Sequence, residues 1–369
     1  MDPNPLRRTV LKAVGLGGLA LAGGTTAASA KSSPENPVVW AFKPPGTDFP
    51  GELPENVAID RRGNKYVSVP SVGQIWKFSP ANELPENPSE NPFVQFDTGG
   101  DFLVGPTGLE VDPNGTLFAC FASDLDDSDT DPAPDANGVY RIDRDGNKSL
   151  YAPLPPANDE DPRPTFPNDI LLFGDSLLVT DSFRGVVYRV WPDEAEVWAS
   201  GGHLQGPSSF FPVGANGIAA AKDGTVYVAN TDKGLLVEIP VEKDGSAGDP
   251  EIFVGEDEED TDYTKNELYG ADGLAIDTRE NLYVALNRQN RIARVSPSRN
   301  VETLAKDSIG EAPHDAPLDA PSDVTFGTAR GEQKTVFITN LTDLSTLSPD
   351  SNPSFMKLDV GVPGMPIHR

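Results

Sequence analysis

Cysteine is almost missing from this chain: Cys120 is the single copy in 369 residues. One thiol excludes a disulfide framework and any zinc or iron–sulfur centre built on cysteines. Histidine is scarce too, at three copies. Neither a G-x-S-x-G elbow nor an H-E-x-x-H helix occurs, so serine-hydrolase and zincin chemistries have no support. Basic residues are few, 29 Lys+Arg against 57 Asp+Glu, for a formal net charge of −28. Such a surface repels phosphate backbones, which argues against a nucleic-acid partner. No segment reaches 18 consecutive apolar residues, so no membrane span is expected. What the chain has in quantity is Gly (35) and Pro (36). Both interrupt helices, and their even spread points to a fold made of strands and turns.

The first thirty residues read as an address. Arg7-Arg8-Thr9-Val10-Leu11-Lys12 is a twin-arginine pattern, followed by a short apolar stretch from Ala13 to Ala22 and small residues at Ala28-Ser29-Ala30. The stretch is too short and glycine-rich to anchor, so residues 1–30 are expected to be a twin-arginine signal peptide, giving a secreted or cell-surface protein. Its removal takes away one acidic and three basic residues, leaving a charge of −30. Carboxylates scattered over every segment suggest a surface adapted to high salt. That pattern resembles secreted proteins of salt-loving archaea.

One phrase recurs six times: a polar start, an apolar strand, a tight turn and an alternating second strand. The starts are Glu55, Thr107, Asn168, Asn216, Asp272 and Ser322, separated by 52, 61, 48, 56 and 50 residues. A near-constant period of that size, in strands only, marks a β-propeller. The expected fold is all-β: one six-bladed propeller of four-stranded antiparallel blades over 31–369. The blades are expected near 55–97, 106–153, 167–199, 215–254, 271–305 and 321–360. Val38–Phe42 is a spare strand, within 37–43, that would complete the last blade and close the ring. Four linker-like stretches (82–91, 153–164, 255–265 and 306–320) are expected between blades.

Ring closure brings the six equivalent starts around one axis. Two carboxylates and two carboxamides among them supply hard oxygen ligands suited to Ca²⁺. A polar lining for a wet channel is the other reading of the same residues.

Six blades opened by Glu55, Asn168, Asn216 and Asp272 in blades one, three, four and five resemble the senescence-marker-protein/gluconolactonase (LRE-like) family. The wider resemblance is to the calcium-dependent phosphotriesterase and paraoxonase-like propellers. The resemblance implies a catalytic divalent metal, usually Ca²⁺ and in some members Zn²⁺, held by Glu55, Asn168, Asn216 and Asp272. It also implies a general-base role for Asp272. Sugar-lactone members carry an arginine two residues before the blade-three asparagine; here that position is Phe166, which opens the way to a more apolar lactone or ester.

Further pocket candidates are Thr107 and Ser322 on the ring, Asp181 and Asn230 at the ends of second strands, and His203 and His314 in connections between blades. Asp181 and Asn230 fit either a pocket wall or the satisfaction of loop backbone groups. The histidines fit either proton shuttles or plain loop positions. The acidic insertion 124–135 in blade two lacks the glycine of an EF-hand turn and reads as a solvated loop. Cys120 reads as a small core residue. Two functions stay open: a metal-dependent hydrolase of small-molecule lactones or esters, expected to be a monomer, and a non-catalytic exported propeller with a structural metal that binds a ligand or a protein.

Overall fold

The computed structural model describes residues 38–366, apart from 45, 47–50, 100–103, 124–134, 156–162, 208–211, 308–317 and 345–346. The expected signal (1–30), nearly all of the acidic insertion 124–135, His314 and His368 lie outside the described residues.

Six four-stranded antiparallel sheets follow one another around a ring. The innermost strands are Val57–Ile59, Gly105–Val111, Pro167–Phe173, Ala215–Ala220, Ala271–Ile276 and Pro321–Phe326, for blades one to six. Blade six is composite. Its fourth strand, Val38–Ala41, comes from the other end of the chain and pairs antiparallel with Ser354–Asp359. Helix among the described residues is limited to three 3-10 turns, as the glycine and proline content demands.

Each sheet packs a neighbour on both faces, so many strands are apolar throughout. Leu117–Ala122 and Leu282–Leu286 are buried along their whole length. The core is divided accordingly, with one hydrophobic cluster at each of the six seams. Ala58, Tyr66 and Phe121 join blades one and two, and Phe42, Trp76, Phe337 and Phe355 join blades six and one. Cys120 is fully buried in the cluster between blades two and three. Trp76 stacks on Phe42 at 4.9 Å, while Trp40 meets Phe78 edge-on across the closing strand.

One linker-like stretch is differently placed from the sequence expectation. Residues 82–91 connect Gln74–Phe78 to Val94–Gln95 and therefore lie inside blade one. A long third-to-fourth-strand turn has the composition of a connection between blades, and composition alone does not separate the two.

The feature that makes a site is a repeated irregularity. In blades two to six the innermost strand slips register against its partner, between Pro106/Leu109, Pro167/Ile170, Ala215/Ile218, Ala271/Leu274 and Pro321/Asp323. Every expected start position in these blades falls inside its slip. A bulge re-aims side chains and releases ladder groups. Two residues lie inside the slip in blades two to five and one, Ser322, in blade six, and the head of each innermost strand therefore has different tasks from the strand that follows.

Candidate functional site at the head of the innermost strands

The second residue at the head of the innermost strand locks the ring in three of the blades. Asn56 Oδ1 accepts the Leu109 N–H of blade two at 2.9 Å. Asp169 Oδ2 accepts Ile218 N–H of blade four at 3.0 Å, and Asp323 Oδ2 accepts Val57 N–H of blade one at 2.9 Å. Each takes an amide of the innermost strand in the next blade. The intervening blades carry glycine at this position because the neighbour comes too close for a side chain. A Cβ on Gly108 would lie 2.1 Å from the Asn168 carbonyl oxygen, and one on Gly217 would lie 2.3 Å from that of Asp272.

The first residues of these heads are the sequence-derived candidates, and all six are buried or nearly so. Two of them serve the seams. Thr107 Oγ1 donates to the Pro167 carbonyl at 2.7 Å, and Ser322 Oγ donates to that of Glu55 at 2.6 Å. Thr339 Oγ1 reaches the same Glu55 carbonyl at 2.7 Å. Blade six thereby fixes the backbone from which the Glu55 side chain projects.

Glu55 Oε2 is buried and has no hydrogen-bond partner among the described residues. Burial raises the Glu55 pKa well above the usual carboxylate range, and the charges of Asp272, Asp323 and Asp169 raise it further. Asp272 is raised as well, by burial first, with Asn287 opposing through a hydrogen bond, Asp323 adding repulsion, and Asn216 and Arg288 opposing. Asp169 is raised by burial and by Asp323. Half-satisfied carboxylates crowded in a low-dielectric channel are the electrostatic setting in which a cation is favoured.

The hydrogen bonds also decide which way two amides face. The Ala271 carbonyl can only accept, so the Thr231 hydroxyl 2.7 Å away donates its one proton there. Thr231 Oγ1 must then accept from Asn216 Nδ2 at 2.9 Å, which leaves Asn216 Oδ1 as the atom for the site. Asn287 Nδ2 donates to Asp272 Oδ2 at 2.6 Å, and Asn287 Oδ1 is buried without a partner among the described residues. Asn168 is buried at the head of blade three. Among the described residues no three His, Cys, Asp or Glu side chains form a metal-holding group. A cation here would depend on two carboxylates completed by amide oxygens, and hard oxygen donors with unpaired buried acceptors fit Ca²⁺.

Of the remaining candidates within the described residues, Asp181 and Asn230 end second strands opposite Pro167 and Ala215, and His203 lies in the connection that follows blade three. Asp181 Oδ1 accepts the N–H groups of Phe166 (3.2 Å), Phe183 (3.1 Å) and Arg184 (3.0 Å). Burial lifts Asp181 to about 6 against those bonds. Phe166 is half-buried and stacks on Phe183 at 4.7 Å. Asn230 Nδ2 donates to the carbonyls of His203 (2.8 Å) and Gln205 (3.0 Å). Both strand-end residues thus satisfy loop backbone. His203 Nδ1 lies 2.8 Å from Asp257 Oδ2, which also receives Lys233 Nζ at 2.8 Å, while Tyr263 Oη donates to Asp257 Oδ1 at 2.7 Å. Burial works against the charge of Asp257, but the bonds from Lys233, His203 and Tyr263 outweigh it and hold its pKa below the usual range.

Sequence reasoning missed Asn287; it reached Thr231 only as part of the strand end Asn230-Thr231-Asp232, read as either a pocket wall or a partner for loop backbone. Ser182, Thr231 and Asn287 each follow the last residue of a second strand, opposite the residue that precedes a ring position. Aligning the repeats one residue past the second strand is the signal that could have found them.

The family described as the SMP-30/gluconolactonase/LRE-like region matches residues 179–342. A lactonase, drp35, of Staphylococcus aureus strain MW2 is 27% identical over 254 residues, covering 64% of this chain and 64% of that protein. Its counterpart in Staphylococcus saprophyticus is 23% identical over 247 residues, with the same shares. The chain thus spans just under two-thirds of the length of the curated relatives it matches. Among solved structures, a gluconolactonase from Xanthomonas campestris superposes with a TM-score of 0.55 at 16% identity, covering 87% of this chain and 89% of the other. A calcium-binding protein, regucalcin, from Agrobacterium tumefaciens gives 0.55 at 16%, with shares of 86% and 94%. The structural likeness is one of fold. The family match takes in Asn216, Asp272 and Asn287, and stops short of Glu55 and Asn168.

Proposed function

We propose that this chain is an exported hydrolase of lactones or esters within the SMP-30/gluconolactonase-like group, with a divalent cation, Ca²⁺ before Zn²⁺, held by Glu55, Asn168, Asn216 and Asp272. The observation that carries the reading is the pairing of the unpartnered, buried Glu55 Oε2 with an Asp272 carboxylate held at 2.6 Å by Asn287. The sequence match to lactonases and the family match support the reaction class. A bound cation would polarise the substrate carbonyl and offset charge on the developing oxyanion. Asp272, oriented by the Asn287 bond to Oδ2, would accept a proton from the attacking water. Glu55 and the inward oxygen of Asn216 hold the centre, and the Phe166–Phe183 stack supplies an apolar flank for the acyl portion of the substrate. The acidic surface and the twin-arginine leader support action outside the cell, in high salt.

The test is a panel of lactones and aryl esters assayed in high salt with chelator-stripped and Ca²⁺-loaded protein. Turnover that needs Ca²⁺ and is lost in Glu55→Ala and Asp272→Ala is the expected result. Stoichiometric Ca²⁺ uptake with no turnover across the panel would favour the non-catalytic propeller. No uptake, with stability indifferent to chelator, would sink the ring assignment.

A further inference from the structure

We infer that Asn287 is a working member of this centre in two capacities: it positions the Asp272 carboxylate, and it offers Oδ1 as an additional oxygen ligand for the cation. The inference rests on the cation reading of the ring and adds a residue from a different strand and a different place in the repeat.

Three observations carry it. First, Asn287 Nδ2 lies 2.6 Å from Asp272 Oδ2, so the amide donates to this carboxylate through its nitrogen. Second, that orientation leaves Asn287 Oδ1 buried and unpartnered among the described residues, which it shares with Glu55 Oε2. Of the buried acceptors left unpaired among the described residues, Asn287 Oδ1 is the one whose own side chain also hydrogen-bonds a ring carboxylate. A buried carbonyl oxygen without a donor costs free energy unless a ligand takes it up.

Third, the turn that carries Asn287 is fixed on several sides. Its N–H donates to the Gly270 carbonyl at 3.0 Å. Arg288 donates to Tyr269 Oη at 2.9 Å and pairs with Asp232, and Gln289 Nε2 donates to the Tyr269 carbonyl at 2.8 Å. Gly270 sits at φ +84, and a Cβ there would lie 2.7 Å from the Arg288 nitrogen, so the close approach of the two segments depends on that glycine. A side chain on so constrained a turn is suited to orienting a ligand carboxylate, the task of residues that support metal ligands.

The two capacities separate by substitution. Asn287→Ala removes both the donor and the oxygen. Asn287→Asp removes the donor and keeps an oxygen, now charged. Calorimetric titration of Ca²⁺ into chelator-stripped full-length protein gives the readout, independent of any turnover. Asn287→Ala is expected to bind Ca²⁺ at least about tenfold more weakly than the wild type. Asn287→Asp is expected to bind at least about tenfold more tightly than Asn287→Ala, because an added anionic oxygen serves a cation directly. Asn287→Ser serves in place of the alanine variant if that one does not fold, with the same expected loss. Wild-type affinity in Asn287→Ala would overturn the inference while leaving the ring reading intact. Equal weakness in the Ala and Asp variants would overturn the ligand capacity. A wild-type chain that takes up no Ca²⁺ would remove the ring reading itself, and this inference with it.

Discussion

Replacing Glu110 with glutamine should make the cation-free protein more stable, and only above a definite pH. Glu110 lies on the innermost strand of blade two, partly buried, with Oε1 accepting the Val111 N–H at 2.8 Å. Burial pushes its pKa from 4.5 to about 7, the Val111 bond opposes this, and Asp323 and Asp112 add repulsion. Below pH 4.5 the group is protonated in both folded and unfolded chains and contributes no pH dependence. Between 4.5 and 7 the unfolded chain has released a proton that the folded chain retains, so stability falls as pH rises. Above 7 the loss is complete, and a shift of that size corresponds to roughly 3 kcal/mol. Glutamine has no charge to bury and keeps an oxygen for the Val111 N–H. In chelator and high salt, urea midpoints for Glu110→Gln and wild type should coincide at pH 4 and separate by roughly 3 kcal/mol at pH 8. Salt screens the acidic surface in both proteins but leaves a buried group largely unscreened, so the difference isolates this position. Parallel curves from pH 4 to pH 8 would refute the reasoning.

Gly217→Ala should destabilise by about 3 kcal/mol or more, since its Cβ meets backbone at 2.3 Å, whereas Gly202→Ala, with open space around it, should leave the melting temperature unchanged. Thr231→Val should cost about 1–3 kcal/mol by leaving the Ala271 carbonyl and Asn216 Nδ2 without their shared partner, and it should weaken Ca²⁺ uptake in the same titration. Asp257→Asn should loosen the two loops that meet at His203 and Lys233, read as faster proteolysis within 201–214 and 255–270. Because the pKa of Asp257 is lowered on folding, the wild type should show the same opening as pH falls below the usual aspartate range, and not as it rises.

The propeller was legible because its period is carried by turn chemistry and strand alternation, both local properties. The separations between Glu55, Thr107, Asn168, Asn216, Asp272 and Ser322 are enough to count blades. The placement of residues 82–91 was not legible, because a Pro- and Asn-rich turn looks the same inside a blade as between blades. Asn287 was hidden for a different reason. The position after the second strand holds Pro70, Ser123, Ser182, Thr231, Asn287 and Leu341 in blades one to six, with no common motif. Ser182 and Thr231 donate to the next blade's carbonyl, Thr231 also accepting from Asn216, while Asn287 reaches the ring carboxylate Asp272.

The hardest distinction lies between adjacent residues. Asn168-Asp169 and Ser322-Asp323 each offer two polar side chains at the head of an innermost strand, and sequence alone gives no reason to prefer one over the other. The bulge decides it. Asp169 accepts the N–H groups of Ile170 and Ile218, and Asp323 takes those of Val57 and Val324, so these two carboxylates are already satisfied by backbone. They hold the ring shut from blade to blade. Glu55 and Asp272 receive no such backbone amides among the described residues; one is left with a bare oxygen and the other depends on Asn287. A buried carboxylate is retained where something neutralises its charge or donates to it. Four acids in one channel thus divide by their hydrogen bonds into two that close the fold and two, Glu55 and Asp272, that the proposed cation would neutralise.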